Sequence, residues 1–229
     1  SYLTGILDSA GATYTKTSDG AGGYTITMPE NTNYIGQPTR LNGEIKPLLD
    51  RKLWSEPADI VVNQHNSGKP IFPFVVMTAA ESHFMIAEAI TKGLASGDAQ
   101  NHYQTAIRHA MQLWDVAGGD IDTYLANEDM AKLNGSTDQN LEKIATQRWM
   151  ALFTNGFEAW AVVRDTGYPT ELSAGVSDDD IFVLGDLNGA YPQRMRYGSG
   201  PYNTNAANVE AAASVQGPDR QGTKLWWAK

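Results

Sequence analysis

The sequence predicts a mostly α fold: tetratricopeptide-like helical hairpins with extensive loops. Three observations point to it. Apolar residues between 77 and 169 recur at the three- and four-residue spacing of amphipathic helices. Short turns join successive helical stretches, which makes neighbours pack antiparallel. The 229 residues are 41% hydrophobic and 10% aromatic, enough for a substantial core.

Residues 8–45 are rich in Gly, Thr, Ser and Asn, and only "YTITM" reads as a short strand. Four prolines break residues 46–76 into short elements and surface loops. The pattern changes at Met77. Thr78 with Glu81 is a capping-box signature, and "TAAESHFMIAEAITKG" follows as a helix ending near Gly93. "SGDAQNHYQTAIRHAMQLWDVAGG" is a second helix, with Tyr103, Ala106, Ile107, Ala110, Met111 and Trp114 on one face. Ala99-x3-Tyr103-x2-Ala106, after Ile86, Ala87 and Ile90, has tetratricopeptide-type spacing without the Pro expected to follow. Small alanines let paired helices approach, and the aromatic fills the remaining gap.

"DIDTYLANEDMAKLNG" reads as a short helix. "STDQNLEKIATQRWMALFTNG" reads as a longer one, with Leu141, Ile144, Ala145, Trp149, Leu152 and Phe153 on its apolar side. "FEAWAVVRDTGYP" returns as a hairpin helix with Phe157, Trp160, Ala161 and Val163 toward the core, stopped by Gly167 and Pro169. Residues 170–229 read as Gly/Asn/Pro-rich loop packing on the helices. The organisation is therefore 1–76 loop-rich, 77–169 helical hairpins and 170–229 irregular, all within one larger domain.

Net charge is −9 with pI ≈ 4.8, which argues against a nucleic-acid partner. Without cysteine there are no disulfides, thiolate metal sites or Cys nucleophiles. No run of about 18 apolar residues is present to span a bilayer. The first residues have neither the basic nor the long apolar region of a signal peptide, and the missing Met at position 1 suggests a processed chain or a fragment.

The four histidines, His65, His83, His102 and His109, form no H-x-H or H-E-x-x-H pattern and read as surface or capping residues rather than a metal centre. No nucleophile elbow, Walker loop or dinucleotide fingerprint occurs. Asp178, Asp179, Asp180, Asp186 and Asn188 offer oxygen ligands suited to Ca²⁺, but not at EF-hand spacing, so a solvated acidic loop is the preferred reading and no cofactor is expected.

Glu81 and Glu88 share a helix face, as paired glycosidase carboxylates would. Glu88 lies within "FMIAEAI", however, and is expected to form a structural ion pair with Arg148 or Arg164 on a neighbouring helix. Trp114, Trp149 and Trp160 fall on apolar faces and read as core. Trp54 and Tyr34 lie in polar loops, where aromatic rings stack on sugars while side chains such as Arg51 bind hydroxyls; burial beneath their own loop is the competing reading.

Several stretches occur in the order seen in one family. They are "FMIAEAITKG", "AQNHYQTAI", "IATQRWMALFTNGFEAWAVVRDTGYP" and "YPQRMRY…YNTNAANVEAA…KLWW". The markers I-x-x-Q-[RK]-W, N-G-x-E-A-W, R-x-T-G-Y-P and P-x-R-x-x-Y make residues 77–229 similar to the SusD/RagB family, in its SusD-like branch. "YIGQPTRLNGE" resembles the loop leading into that region, which makes 1–76 the approach to a binding face.

The resemblance implies a mostly helical, non-enzymatic lipoprotein on the external face of the outer membrane. Such a protein captures an oligosaccharide or other nutrient and delivers it to a SusC-like TonB-dependent transporter. Family members are about twice this length and carry a lipidated Cys, so the chain resembles their C-terminal half. Association with an absent N-terminal half, or aggregation, is then expected, because a cut repeat array exposes apolar surface. Asp165 stands where many relatives carry a second Arg. The alternative function is a helical-repeat scaffold that binds a protein partner.

Overall fold

Helical structure begins where Thr78 adopts extended backbone and its Oγ1 accepts the Glu81 N–H at 3.2 Å. That bond satisfies one of the donors a first turn leaves over. The computed structural model describes residues 15–18, 20, 24–27, 55, 57, 61, 75–177 and 183–228. The chain divides into two compact units, Ser1–Pro73 with Asp178–Leu184, and Phe74–Ser177 with Gly185–Lys229.

In the first unit, β1 (Thr15–Ser18) pairs antiparallel with β2 (Tyr24–Thr27), Thr15 opposite Thr27 and Ser18 opposite Tyr24. β2 is the strand read from "YTITM". β1 is all polar and exposed, so it has no apolar alternation by which to recognise it.

The second unit contains α1 (Ala79–Thr91), α2 (Ala99–Leu113), α3 (Gly118–Asn127), α4 (Thr137–Ala151), α5 (Gly156–Thr166), the single-turn α6 (Thr170–Ser173) and α7 (Ser199–Gln216). Short 3₁₀ turns occupy Asp129–Ala131, Gly185–Leu187 and Trp226–Ala228. α1 packs on α2 and α4, α3 on α2, and α5 on α4. The mostly helical prediction is therefore correct.

The α1–α2 hairpin follows from two small residues and two rings. Ala87 and Ala106 are fully buried, and between them Phe84 and Tyr103 meet edge-on with centroids 6.0 Å apart. Ile107, Ile121, Leu125 and Ile144 complete this core. Each large apolar side chain so buried contributes about 1.5–3 kcal/mol. The Tyr103 hydroxyl donates to the Met130 carbonyl at 2.5 Å, so it is buried with a partner. Burial pushes its pKa far up, with smaller contributions from Tyr124 and Asp129.

Polar side chains hold the α3–α4 connection in place. Gln100 accepts from the Leu133 N–H at 2.6 Å and donates to the Ala131 carbonyl at 3.0 Å. Lys143 reaches the Asp129 carboxylate at 2.7 Å and the Lys132 carbonyl at 3.0 Å. α4 opens with a full capping box between Ser136 and Gln139. α5 ends at Gly167, whose φ of 77° favours glycine. Gly175 has no room for a side chain: a Cβ there would lie 2.3 Å from the Gly189 carbonyl oxygen.

Three expectations need correction. Phe157 and Phe153 are exposed, at 73% and 51%, whereas Val162 and Val163 are buried. Phe157 falls in the first turn of α5, and that helix packs on α4 through Ala159 and Val162. Ile86 also faces outward, while its neighbour Ala87 takes the core position. Finally, α7 forms within the stretch read as loop. It is 18 residues long and kinked at Asn205 (φ −153°, ψ 43°), and only Val209 is buried. With one buried residue it has no apolar stripe, so periodicity does not reveal it.

Candidate functional site

The family-like markers in the helices turn out to be polar ties. In I-x-x-Q-R-W, Ile144 enters the core, and buried Gln147 donates to the Tyr124 hydroxyl at 2.6 Å. Arg148 lies between two carboxylates, 3.7 Å from Glu81 Oε1 and 3.6 Å from Glu88 Oε2. Lys92 also bonds Glu88 at 2.5 Å. Glu81 and Glu88 thus converge on one arginine, an arrangement that orders a helix interface.

Arg164, the other partner considered for Glu88, is engaged elsewhere. Its Nη1 donates to the Gln193 carbonyl at 3.2 Å, and its guanidinium sits 4.8 Å from the centroid of the Trp160 ring. Trp160 Nε1 donates to the Pro192 carbonyl at 2.8 Å. α5 therefore fixes the chain at residues 192–193, close before a buried charge pair.

The pair is Arg194 and Asp219. Arg194 Nη2 lies 3.1 Å from Asp219 Oδ1, with the two side chains 6% and 4% exposed. Asp219 also accepts the Tyr197 N–H at 3.2 Å and the Tyr202 hydroxyl at 2.8 Å. Hydrogen bonding to Asp219 raises the Tyr202 pKa. Arg194 Nε donates to the Met195 carbonyl, and its guanidinium is 5.1 Å from the Tyr197 ring centroid. The N–H groups of Gln193 and Arg194 both reach the Gln221 carbonyl, at 2.7 and 3.1 Å. Residues 191–197, carrying P-x-R-x-x-Y, and 218–223 thereby form one stiff wall.

Two cavities meet this wall and share Gln221. One, about 600 Å³, is mainly apolar and lined by Asn155, Phe157, Trp160, Pro192, Arg194 and Met195. The other, about 670 Å³, is lined by Asp186, Arg196, Asp219, Arg220, Gln221 and Thr223. The first offers aromatic surface with an amide at its edge, and the second offers hydrogen-bonding groups of both signs. Exposed Phe157 and half-buried Trp160 are the aromatic candidates the sequence reading assigned to core.

Trp54, Tyr34 and Arg51 lie outside the described residues, as do Asp178, Asp179 and Asp180. Asp186 bonds Arg196 at 3.2 Å. Among the described residues, no three or more His, Asp or Glu side chains converge as a metal site, and no helix is long and apolar enough to cross a membrane.

A helical-repeat scaffold with loop-built cavities is the class this geometry defines. Residues 27–198 match the SusD-like family described as "Starch-binding associating with outer membrane", and the chain belongs to that family. Solved structures agree. A SusD-like protein from Bacteroidetes AC2a shares 27% identity at a TM-score of 0.60, over 68% of this chain and 30% of its own. A SusD homologue from Bacteroides uniformis shares 29% at 0.58, over 69% and 37%. A structure titled chitin-binding protein shares 26% at 0.55, over 65% and 32%. The chain spans about a third of the length of these structures. No curated protein matches the sequence.

Proposed function

We propose that this chain is part of a surface-exposed nutrient-binding protein of the outer membrane. It captures an oligosaccharide and passes it to a TonB-dependent transporter, without catalysis of its own. Family membership carries this reading: the matched family is described as starch-binding and outer-membrane-associated, and one similar structure is titled chitin-binding. The paired cavities support it, because a sugar presents an apolar ring face to aromatics and hydroxyls to groups such as Asp186, Arg196 and Gln221. Trp54, Tyr34 and Arg51 are proposed as further ligand contacts. Lipid anchoring through a segment outside this chain, and association with an N-terminal half, belong to the same proposal.

The test is a glycan-array and calorimetric screen of the full-length protein, followed by the Trp54→Ala variant. The expected result is saturable binding of one oligosaccharide class, weakened by the substitution. Absence of binding to any glycan, with capture of a defined protein partner instead, would favour the scaffold alternative.

A further inference from the structure

Three histidines that stand apart in the sequence converge across the α1–α2 hairpin. His83 on α1 meets His102 and His109 of α2, with ring centroids 5.1 and 5.7 Å away. His83 Nδ1 and His102 Nδ1 are 2.9 Å apart. At that distance one nitrogen carries a proton and the other presents a lone pair. All three residues are half-buried, within reach of solvent ions. Desolvation, then the charges of His102 and His109, lowers the His83 pKa. The charged groups of the α1–α2 hairpin nearest these rings are paired elsewhere: Glu81 and Glu88 with Arg148, Lys92 with Glu88, and Arg108 with Asp122.

We propose that His83 and His102 form a two-imidazole clamp for a borderline divalent cation, Zn²⁺, Ni²⁺ or Cu²⁺, bridging α1 to α2. Two nitrogens bound to a tetrahedral ion at about 2.0–2.1 Å are roughly 3.3 Å apart, so the pair needs to open by only a few tenths of an ångström. Imidazole nitrogen selects these ions, whereas Ca²⁺ and Mg²⁺ require oxygen ligands. The donor ring moves its proton from Nδ1 to Nε2, which frees both lone pairs. No proton is lost when both rings are neutral, and one is displaced for each protonated imidazole. Among the described residues no third side chain completes the set, so the clamp supplies two of the ion's ligands and water the others.

The experiment is calorimetric titration of the tag-free full-length chain with ZnCl₂ and NiCl₂, paired with thermal melts. One cation is expected to bind at this site. At a hundredfold excess over its Kd, it should raise the melting temperature by about 5–10 °C. Affinity should fall in acid, where protons compete with the cation for the imidazole nitrogens, and MgCl₂ should not bind at this site. His83→Gln and His102→Gln should each abolish the response, while His109→Gln retains it. If a variant does not fold, ¹⁵N imidazole shifts of the native protein during the Zn²⁺ titration provide the readout, with His83 and His102 the rings that respond. Absence of binding, or binding undiminished in the His83→Gln/His102→Gln double variant, would overturn the proposal.

Discussion

Arg194 and Asp219, 25 positions apart, form an ion pair 3.1 Å long with both side chains almost wholly removed from solvent. Asp219 takes two further donors, from Tyr197 and Tyr202, so its charge is well satisfied. Arg194 is less so, because among the described residues its buried Nη1 has no hydrogen-bond partner. Removing the carboxylate therefore leaves a buried cation uncompensated. Asp219→Ala should cost about 3–5 kcal/mol in urea unfolding. The Arg194→Met/Asp219→Leu double variant should recover much of that loss, since two apolar groups leave no charge buried. A double variant as unstable as Asp219→Ala would show that the wall depends on the charges themselves.

Tyr103 separates packing from hydrogen bonding. Tyr103→Phe keeps the ring and loses the bond to the Met130 carbonyl, a cost of about 0.5–1.5 kcal/mol. Phe84→Ala empties the facing position and should cost about 3–5 kcal/mol. The folded protein also holds the Tyr103 hydroxyl protonated where the unfolded chain ionises near pH 10.0. That contribution is complete below pH 10.0 and is lost as pH rises above it. Denaturant melts of the native protein should weaken more steeply above this pH than those of Tyr103→Phe.

Phe157 tests the apolar cavity as a ligand surface. Because its ring is 73% exposed, Phe157→Ala should change stability by no more than about 0.5 kcal/mol. Glycan affinity, measured calorimetrically on the full-length protein, should fall about three- to tenfold if a sugar stacks there. Affinity lost in Trp54→Ala but unchanged in Phe157→Ala would place the ligand away from this cavity.

Much of the helical scaffold was legible because its signals are local. Tyr103, Ala106 and Ile107 repeat with the helix period, Thr78 caps the Glu81 N–H three residues on, and Gly167 supplies a left-handed stop. Each depends on residues within a few positions of one another. The Glu88–Arg148 juxtaposition was anticipated in kind, because a carboxylate inside an apolar helix run needs a cation. The sequence left Arg164 equally eligible, and α5 instead directs it to the Gln193 carbonyl.

The sequence by itself determined the helical stretches α1 to α5, where most of these begin, and the SusD-like family through its spaced markers. Tertiary structure decided which faces those helices bury, so that Val162 enters the core and Phe157 faces solvent. It also brought Arg194 to Asp219 and His83 to His102, and folded α7 without an apolar stripe. The physical reason is range. Periodicity and capping report on one element's own backbone, whereas meetings between residues 20 or more positions apart, or on separate helices, exist only after the elements pack.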